Sequence, residues 1–429
     1  MNVIVRKLLS LSVLLILACP ASAVTLEECL EHAEMNYPVV SKYKLLDMVN
    51  EIKLSDINKG WLPAVSVYGQ ATIQNEVPSF PDALKEVMTK LGQNFKGLSP
   101  FQYKAGIDVH QTIWDGGLSK AGRETQRAST EVRRKALDVD MYGVRQRVED
   151  LYFGILLMDE QVSQSELTLK QLESNRDKLV SMLRNGVAMR SDVDQMEARI
   201  LTVSQHIAQA RTVSASYRNV LGLFTGMELA GQTFQKPAAD MPGNLEPDRP
   251  EQKLFDAQLK LADARRSSVN ASLMPKAGFF AQAYYGYPRI DYFRSMRDRT
   301  PGFNLLAGVN IQWEIGAFYT RRNKLSQIEL DRAEIEADRE TFLFNNRLAA
   351  NAGLGDIEAT RKLMENDGRI IQLRKNVRHA AESQLENGVI DTFALISKIT
   401  DEHLAEMTAR YHEIELLKKI YQLRTTLNK

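Results

Sequence analysis

Residues 105–109 read Ala-Gly-Ile-Asp-Val, and 202 positions later residues 307–311 read Ala-Gly-Val-Asn-Ile. The tripeptide Asn185-Gly186-Val187 returns at the same offset as Asn387-Gly388-Val389. Two separate matches at one offset indicate a duplicated unit, because chance similarity would not keep a common spacing. The period is far too long for a solenoid of short repeats. The chain is therefore predicted to contain one structural plan twice.

Each copy is predicted to follow the order helix, strand, strand, long helix, helix. Moderate helices at 25–58 and 249–272 lead into the strands, and long helices at 117–184 and 319–386 follow them. Each long helix ends at an Asn-Gly-Val turn. The predicted division of the chain is an export signal at 1–23, a first repeat at 24–225, a linker at 226–250 and a second repeat at 251–429.

The predicted strands alternate apolar and polar residues. In the second strand, Ile107, Val109 and Ile113 are apolar and the residues between them are mostly polar. In the fourth strand, the apolar residues of a similar alternation are Val309, Ile311, Trp313 and Ile315. Each alternation lasts roughly nine to eleven residues, about the length of a tilted membrane-spanning strand.

Aromatic residues cluster around these strands. Residues 61–114 and 279–319 hold 18 of the 32 aromatic residues, including Trp61, Trp114 and Trp313. Tryptophans at the ends of membrane strands form interfacial girdles. We expect these three tryptophans at a membrane interface, although a soluble β-sandwich core would also collect aromatic residues.

The long helices lie in two stretches without proline, 101–236 and 302–429. An apolar seam with alternating steps of three and four runs along the first, as in a coiled coil: Val144, Val148, Leu151, Ile155, Met158 and Val162. A second seam is predicted in the last helix: Leu404, Met407, Tyr411 and Ile414. At 1.5 Å per residue each long helix would measure about 100 Å. Helices of this length need neighbours.

The first 23 residues have the pattern of an export signal. Basic Arg6 and Lys7 precede an apolar stretch, and Ala21-Ser22-Ala23 fits a signal-peptidase site. Lipid attachment at Cys19 is the alternative processing route. No later run of about 18 apolar residues follows, so any membrane crossing is predicted to use strands.

Composition and motifs argue against several classes of function. The formal net charge of +1 offers no general attraction to nucleic acid. The six histidines and two cysteines have no metal-ligand spacing, and no phosphate loop or nucleophile elbow occurs. The seven-residue spacing of Met182, Met189 and Met196 favours a helix seam over a copper relay. The sequence thus predicts no enzyme, no metal and no cofactor.

Several motifs, read in order, resemble those of the TolC-like outer-membrane efflux proteins. They are Thr25-Leu26-Glu27-Glu28-Cys29-Leu30, Asn36-Tyr37-Pro38, Trp61-Leu62-Pro63, Gln111-Thr112-Ile113-Trp114-Asp115-Gly116-Gly117, Asn185-Gly186-Val187 and Ser191-Asp192-Val193. None is specific alone, but their order and duplication cover essentially the whole chain after the signal.

The resemblance implies a mainly α fold with transmembrane β-strands. The duplicated αββαα unit would give four strands to a trimeric, twelve-stranded outer-membrane β-barrel, and its coiled-coil helices would form a periplasmic α-barrel. It implies a passive exit duct of a tripartite efflux or type I secretion system, in the outer membrane of a Gram-negative bacterium. The implied partners are two further copies, a periplasmic adaptor protein, an inner-membrane transporter of RND, ABC or MFS type, and outer-membrane lipid, with no nucleic acid.

The resemblance also places two kinds of site at the helix turns. The tips Asn185-Gly186-Val187 and Asn387-Gly388-Val389 would contact the adaptor. The gating candidates at the periplasmic aperture are Arg190, Asp192, Asp194 and Asp391. Asp192 could equally be a solvated residue that caps a helix. The second copy departs from the family, since Ala394 and Ser397 occupy positions where an aspartate ring would stand.

Two rival functions remain at the level of sequence. An exported, soluble periplasmic coiled-coil scaffold would also have long helices, but the alternating strands and clustered tryptophans argue against it. A periplasmic enzyme lacks a catalytic constellation.

Overall fold

A computed structural model describes residues 23–429. The predicted export signal lies outside the described residues except for its last residue, Ala23. The elements, numbered in chain order, are α1 Leu26–Asn36, α2 Val40–Lys59, β1 Ala64–Ile73, α3 Asp82–Lys90, β2 Phe101–Trp114, α4 Leu118–Arg184, α5 Arg190–Thr225, α6 Pro250–Ala271, β3 Lys276–Tyr287, α7 Tyr292–Asp298, β4 Gly302–Gln312, α8 Ala317–Glu386 and α9 Thr392–Leu427. The described chain is mainly helical, as expected.

The predicted order of elements occurs twice in the structure. In the first copy, α1 and α2 are followed by β1 and β2 and then by α4 and α5. In the second copy, α6 is followed by β3 and β4 and then by α8 and α9. The short helices α3 and α7 interrupt the two strand-to-strand loops and were not predicted.

The predicted helix 25–58 is wrong as a single helix. It is broken into α1 and α2 at Tyr37-Pro38, where Tyr37 adopts extended backbone with ψ near 130°. A residue before proline is pushed away from helical conformation by the proline ring. Pro250, by contrast, is the first residue of α6, where its missing N–H costs no helical hydrogen bond.

The chain forms two compact units, each built from both halves of the sequence. Of the described residues, the helical unit contains 23–43, 135–253 and 338–429. The sheet unit contains residues 44–134 and 254–337. The long helices α4 and α8 contribute residues to both units.

The sheet unit contains one antiparallel sheet in the order β1-β2-β3-β4. Its central pairing joins β2 of the first copy to β3 of the second, with Ile107 opposite Ala283. Successive side chains of a strand point to opposite faces, so the register separates two sets of residues. One face is apolar: Val65, Val67, Ile73, Phe101, Tyr103, Ile107, Val109, Phe279, Ala281, Ala283, Tyr285, Phe303, Leu305, Ala307, Val309 and Ile311. The other is mostly polar: Ser66, Tyr68, Gln70, Thr72, Gln102, Lys104, Asp108, His110, Phe280, Gln282, Tyr284, Asn304, Leu306 and Asn310.

The junction between β2 and α4 depends on Asp115 and two glycines. Gly116 and Gly117 have φ of 70° and 88°, which only glycine adopts readily. The carboxylate of Asp115 accepts hydrogen bonds from the backbone N–H groups of Gly117 (2.9 Å) and Ser119 (2.6 Å). These bonds satisfy donors at the start of α4 and keep the pKa of Asp115 below its usual value, although burial opposes this.

The core of the helical unit lies where α1, α4, α5 and α9 pack together. Tyr152, Phe153 and Ile155 of α4 are almost fully buried there, beside Leu26 and Ile414. The predicted seam of α4 is confirmed, since Val144, Val148 and Ile155 are buried.

The predicted seam of α9 is confirmed only in part. Ile414 is buried and Met407 half-buried, whereas Leu404 and Tyr411 are exposed. Further buried residues of α9 are Leu395, Ile399 and Leu417. The heptad spacing alone did not distinguish the face packed within the chain from the face left uncovered.

Candidate functional surfaces

The two helix tips have the same backbone structure. At the first tip Gly186 has φ of 75°, and at the second Gly388 has φ of 69°. The N–H of Val187 donates to the carbonyl of Met182 (2.9 Å), and the N–H of Val389 donates to the carbonyl of Gln384 (2.8 Å). This is the Schellman arrangement that ends a helix at a left-handed glycine. The predicted turns are therefore present at both tips.

Both tips present exposed apolar side chains. The exposed fraction is 67% for Val187, 73% for Met189, 70% for Val389 and 70% for Phe393. Sequence reasoning missed Phe393, and it placed Met189 in a helix seam, whereas Met189 precedes α5 at the tip. The four residues are called the tip patch below.

The aspartates predicted at the aperture hold the starts of α5 and α9. Asp192 accepts from the N–H of Met189 (2.8 Å), and Asp391 accepts from the N–H of Ala394 (2.7 Å). Arg190 pairs with Asp194 at 2.9 Å, one turn along α5. All four residues lie at the tips. The cap at Asp192 is the structural alternative given for that residue, and the cap at Asp391 was not predicted.

A buried ionic cluster joins the two hairpins below the tips. Arg378 of α8 donates to Glu402 of α9 and, at 2.9 Å, to Glu382. With its amide oxygen facing the guanidinium, Gln171 of α4 accepts from Arg378 at 2.7 and 3.0 Å. The Asn175 amide of α4 also donates to Glu382 (3.5 Å). Burial would raise the pKa of Glu382, but the hydrogen bonds and charge of Arg378 keep it below its usual value.

This cluster was absent from the sequence interpretation, because its members are separated by more than 200 residues between α4 and α8. A buried carboxylate needs a fixed charged partner. Arg378 supplies that partner for both acids and so ties α8 and α9 to α4. An apolar cluster that includes Leu179, Met196 and Leu395 packs the same hairpins together.

The three tryptophans lie at one end of the sheet. Trp114 is the last residue of β2, Trp61 lies three residues before β1, and Trp313 immediately follows β4. Each is at least 40% exposed. The indole N–H of Trp313 donates to the carbonyl of Leu273 (2.9 Å), which orients the ring at the strand end.

Aromatic residues also border the opposite end of the apolar face. Phe101, Tyr103, Tyr285 and Phe303 lie there and are all exposed. The apolar face of the sheet is thus bounded by aromatic side chains at both ends.

Residues 23–429 contain no group of three or more His, Cys, Asp or Glu residues placed to hold a metal ion. Within the same range, no helix combines the length and apolar character needed to cross a membrane.

Comparison with known proteins identifies the fold. No family model and no curated protein matches the sequence. Among solved structures, the outer membrane protein VceC from Vibrio cholerae is 11% identical with a TM-score of 0.67, covering 94% of this chain and 95% of that one. The Campylobacter jejuni CmeC outer membrane channel is 12% identical with a TM-score of 0.65, covering 94% and 85%. The Neisseria gonorrhoeae MtrE outer membrane channel, in its open state, is 14% identical with a TM-score of 0.63, covering 94% and 88%. For the single chain, these likenesses confirm the mainly helical fold with one small antiparallel sheet that the TolC-like resemblance implied.

Proposed function

We propose that this protein is an outer-membrane exit duct, a passive channel of a tripartite efflux or type I secretion system in a Gram-negative bacterium. The observation that carries the proposal is the sheet, with one apolar face, one polar face and two edge strands. In the described residues no further strand pairs with the outer edges of β1 and β4. In lipid such edges must be closed, because unpaired backbone groups have no water to bind.

Three copies would close the sheet as twelve strands with the apolar face toward lipid. From Phe303 to Trp313 the chain rises about 33 Å at about 3.3 Å per residue. A strand tilt of about 40° turns this into a height of about 25 Å, which matches the apolar band of outer-membrane barrels. The aromatic residues at both ends of the face would then lie at the two membrane interfaces.

The helical unit offers a second reason to expect neighbouring copies. An exposed apolar stripe runs along α8 with steps of seven, three and four, through Leu363, Ile370, Leu373 and Val377. This spacing is that of a coiled-coil seam without its partner. We propose that a second copy covers the stripe in the trimer, where the helices form the periplasmic part of the conduit.

We propose that the tip patch docks on a periplasmic adaptor, which connects the duct to an inner-membrane transporter of RND, ABC or MFS type. Exposed apolar residues at both tips support this docking. We propose further that Arg190, Asp192, Asp194 and Asp391 surround the aperture near the tips, where their charges would act on passing ions.

Fractionation and bilayer recording test the proposed function. We expect the protein to partition with outer membranes, to require detergent for extraction, to run as a trimer after cross-linking, and to conduct ions in planar bilayers. Recovery from the soluble periplasm without detergent would instead favour the coiled-coil scaffold. A membrane-bound trimer that never conducts would also contradict the proposed function.

A further inference from the structure

Two tyrosines and a glycine form one row across the polar face of the sheet. Tyr68 of β1 is opposite Gly106 of β2, and Gly106 is opposite Tyr284 of β3. A Cβ on Gly106 would lie only 2.6 Å from the Cβ of Tyr284. Only glycine leaves room here for the side chain of Tyr284 on the neighbouring strand.

Lys104 lies two residues before Gly106 and on the same face. Its Nζ atom is 5.5 Å from the ring centroid of Tyr68 and 5.5 Å from that of Tyr284. An ammonium held near two aromatic rings is restricted in position by cation–π attraction. The two rings thus hold the charge of Lys104 at a defined place on the polar face.

The ammonium group has no acidic partner within reach. Among the described residues, no carboxylate forms an ion pair with Lys104. Asp108 points to the same face but is four residues along the strand, about 13 Å away at about 3.3 Å per residue. Its carboxylate already accepts a hydrogen bond from Gln282 (2.7 Å).

An open cavity of about 250 Å³ adjoins Lys104. Its wall contains Gln70, Thr72, Gln102 and Tyr284, and no acidic residue contributes to the lining. Amide and hydroxyl groups can donate hydrogen bonds to an anion. The hydroxyl of nearby Tyr68 is buried and has no hydrogen-bond partner among residues 23–429.

We propose that Lys104, held by Tyr68 and Tyr284, is an anion-binding site that gives the channel a preference for anions at the sheet. The inference rests on the proposed function, in which the polar face lines the lumen. In a trimer the site would occur three times at one level. A ring of basic side chains lining a pore favours anions. The permeating ligand is a small anionic group, such as chloride, phosphate or a carboxylate on exported cargo.

A neighbouring copy is poorly placed to neutralise the site. Lys104 lies on β2, and β1 separates it from the nearer edge of the sheet. Strands are about 4.8 Å apart, so the nearest strand of the next copy would lie about two strand spacings from β2.

The experiment measures reversal potentials of purified trimers in planar bilayers under a KCl gradient. Lys104→Gln removes the charge, and we expect the chloride-to-potassium permeability ratio to fall about ten-fold, because one unit charge about 6 Å away in water favours chloride about three-fold and disfavours potassium about three-fold. Lys104→Arg should retain the wild-type ratio. Lys90→Gln is the matched control, because Lys90 lies on α3 and pairs with Glu86 at 3.0 Å.

A second measurement does not depend on how Lys104→Gln folds. Lys104→Cys can be modified after assembly, because Cys29, the cysteine among the described residues, is buried. A methanethiosulfonate that adds an ammonium should restore the preference for chloride, and a neutral one of similar size should not.

The outcomes separate the two proposals. The anion site would be overturned if Lys104→Gln channels kept the wild-type permeability ratio. It would also be overturned if the charged and neutral reagents had equal effects on Lys104→Cys. Either result would leave the proposed duct function intact. A wild-type trimer without conductance would remove the proposed function, and this inference with it.

Discussion

Glu149 carries a carboxyl group in the packed interior of the helical unit. Its exposed fraction is 4%, and one oxygen accepts a hydrogen bond from the hydroxyl of Thr425 (2.6 Å). The other oxygen has no hydrogen-bond partner among residues 23–429. Burial raises the pKa of Glu149 to about 7, against the opposing effects of the Thr425 hydrogen bond and the charges of Arg145 and Arg424.

This shift predicts how stability depends on pH. The unfolded carboxyl group titrates near 4.5 and the folded one near 7, so the folded state binds an extra proton between these values. The free energy of unfolding should therefore fall as pH rises from about 5 to 7, and the loss should stay complete above 7. A shift of this size corresponds to a free energy on the order of 3 kcal/mol.

Glu149→Gln should raise the thermal midpoint of the purified protein at pH 8 and flatten its dependence between pH 5 and 7. Glutamine keeps an acceptor for Thr425 and carries no charge to desolvate. Circular dichroism melts in detergent at several pH values measure this. Glu197→Gln, at an exposed position of α5, serves as control. Parallel curves for wild type and Glu149→Gln would exclude Glu149 as the source of the pH dependence.

At the scale of elements, two helical hairpins end in the same way. The Asn-Gly-Val turns and the caps at Asp192 and Asp391 are local features, and each acts within a few residues of sequence. The hairpins are joined by the Arg378 cluster and by Lys178, which pairs with Glu386 at 2.9 Å beside the tips. The backbone conformation of each tip thus depends on residues close in sequence. The contacts between the two hairpins depend on packing between distant parts of the chain.

The role proposed for Asp192 at the aperture can be separated from its role as a cap. Asp192→Asn keeps an oxygen that can accept from Met189, so α5 should still start at Arg190. If its charge faces passing ions, the substitution should lower the potassium-to-chloride permeability ratio of the trimer about two-fold, because a cation loses one nearby charge per copy.

The control for this prediction is Asp177→Asn, which removes an exposed carboxylate of α4 that bonds to its neighbour Arg176 (2.8 Å). Bilayer reversal potentials measure both variants. If Asp192→Asn and wild type gave equal ratios, Asp192 would be a cap alone.

At the scale of the whole molecule, several surfaces call for partners beyond one chain. The sheet has open edges, α8 has an uncovered apolar stripe, and the tip patch is exposed. Two further copies would cover the sheet edges and the α8 stripe. The tip patch lies at the ends of the hairpins, and we assign it to the adaptor.

Phe393→Glu should prevent adaptor binding without closing the channel. Burying a phenylalanine contributes about 2 kcal/mol, so its loss should lower the yield of cross-links about ten-fold or more. The measurement is photo-cross-linking in cells from a probe at position 389, with bilayer conductance of the purified trimer as a check on folding.

Leu404→Glu is the matched control for the docking prediction, since Leu404 is exposed on the same helix but away from the tip. Unchanged cross-linking in Phe393→Glu, or an equal loss in Leu404→Glu, would contradict docking through the tip patch.

Much of the architecture could be predicted from the sequence because it depends on local patterns. Strand alternation, the Asn-Gly turns, the tryptophans at strand ends and the seam of α4 each involve neighbours in sequence. The helix break at Pro38 was missed although its cause is local. The seam of α9 was only partly right, because heptad spacing does not tell which apolar residues meet the rest of the chain.

The duplicated plan, the element order and the position of the tips follow from the amino-acid sequence alone, because backbone conformation and periodicity act over a few residues. The places where charged side chains meet residues far away in sequence are set by the packed fold. Lys104 lies against Tyr68 and Tyr284 because strand register unites both halves of the chain, and Arg378 reaches α4 because the hairpins pack together. Charge placement at long range depends on packing, and no local pattern encodes it.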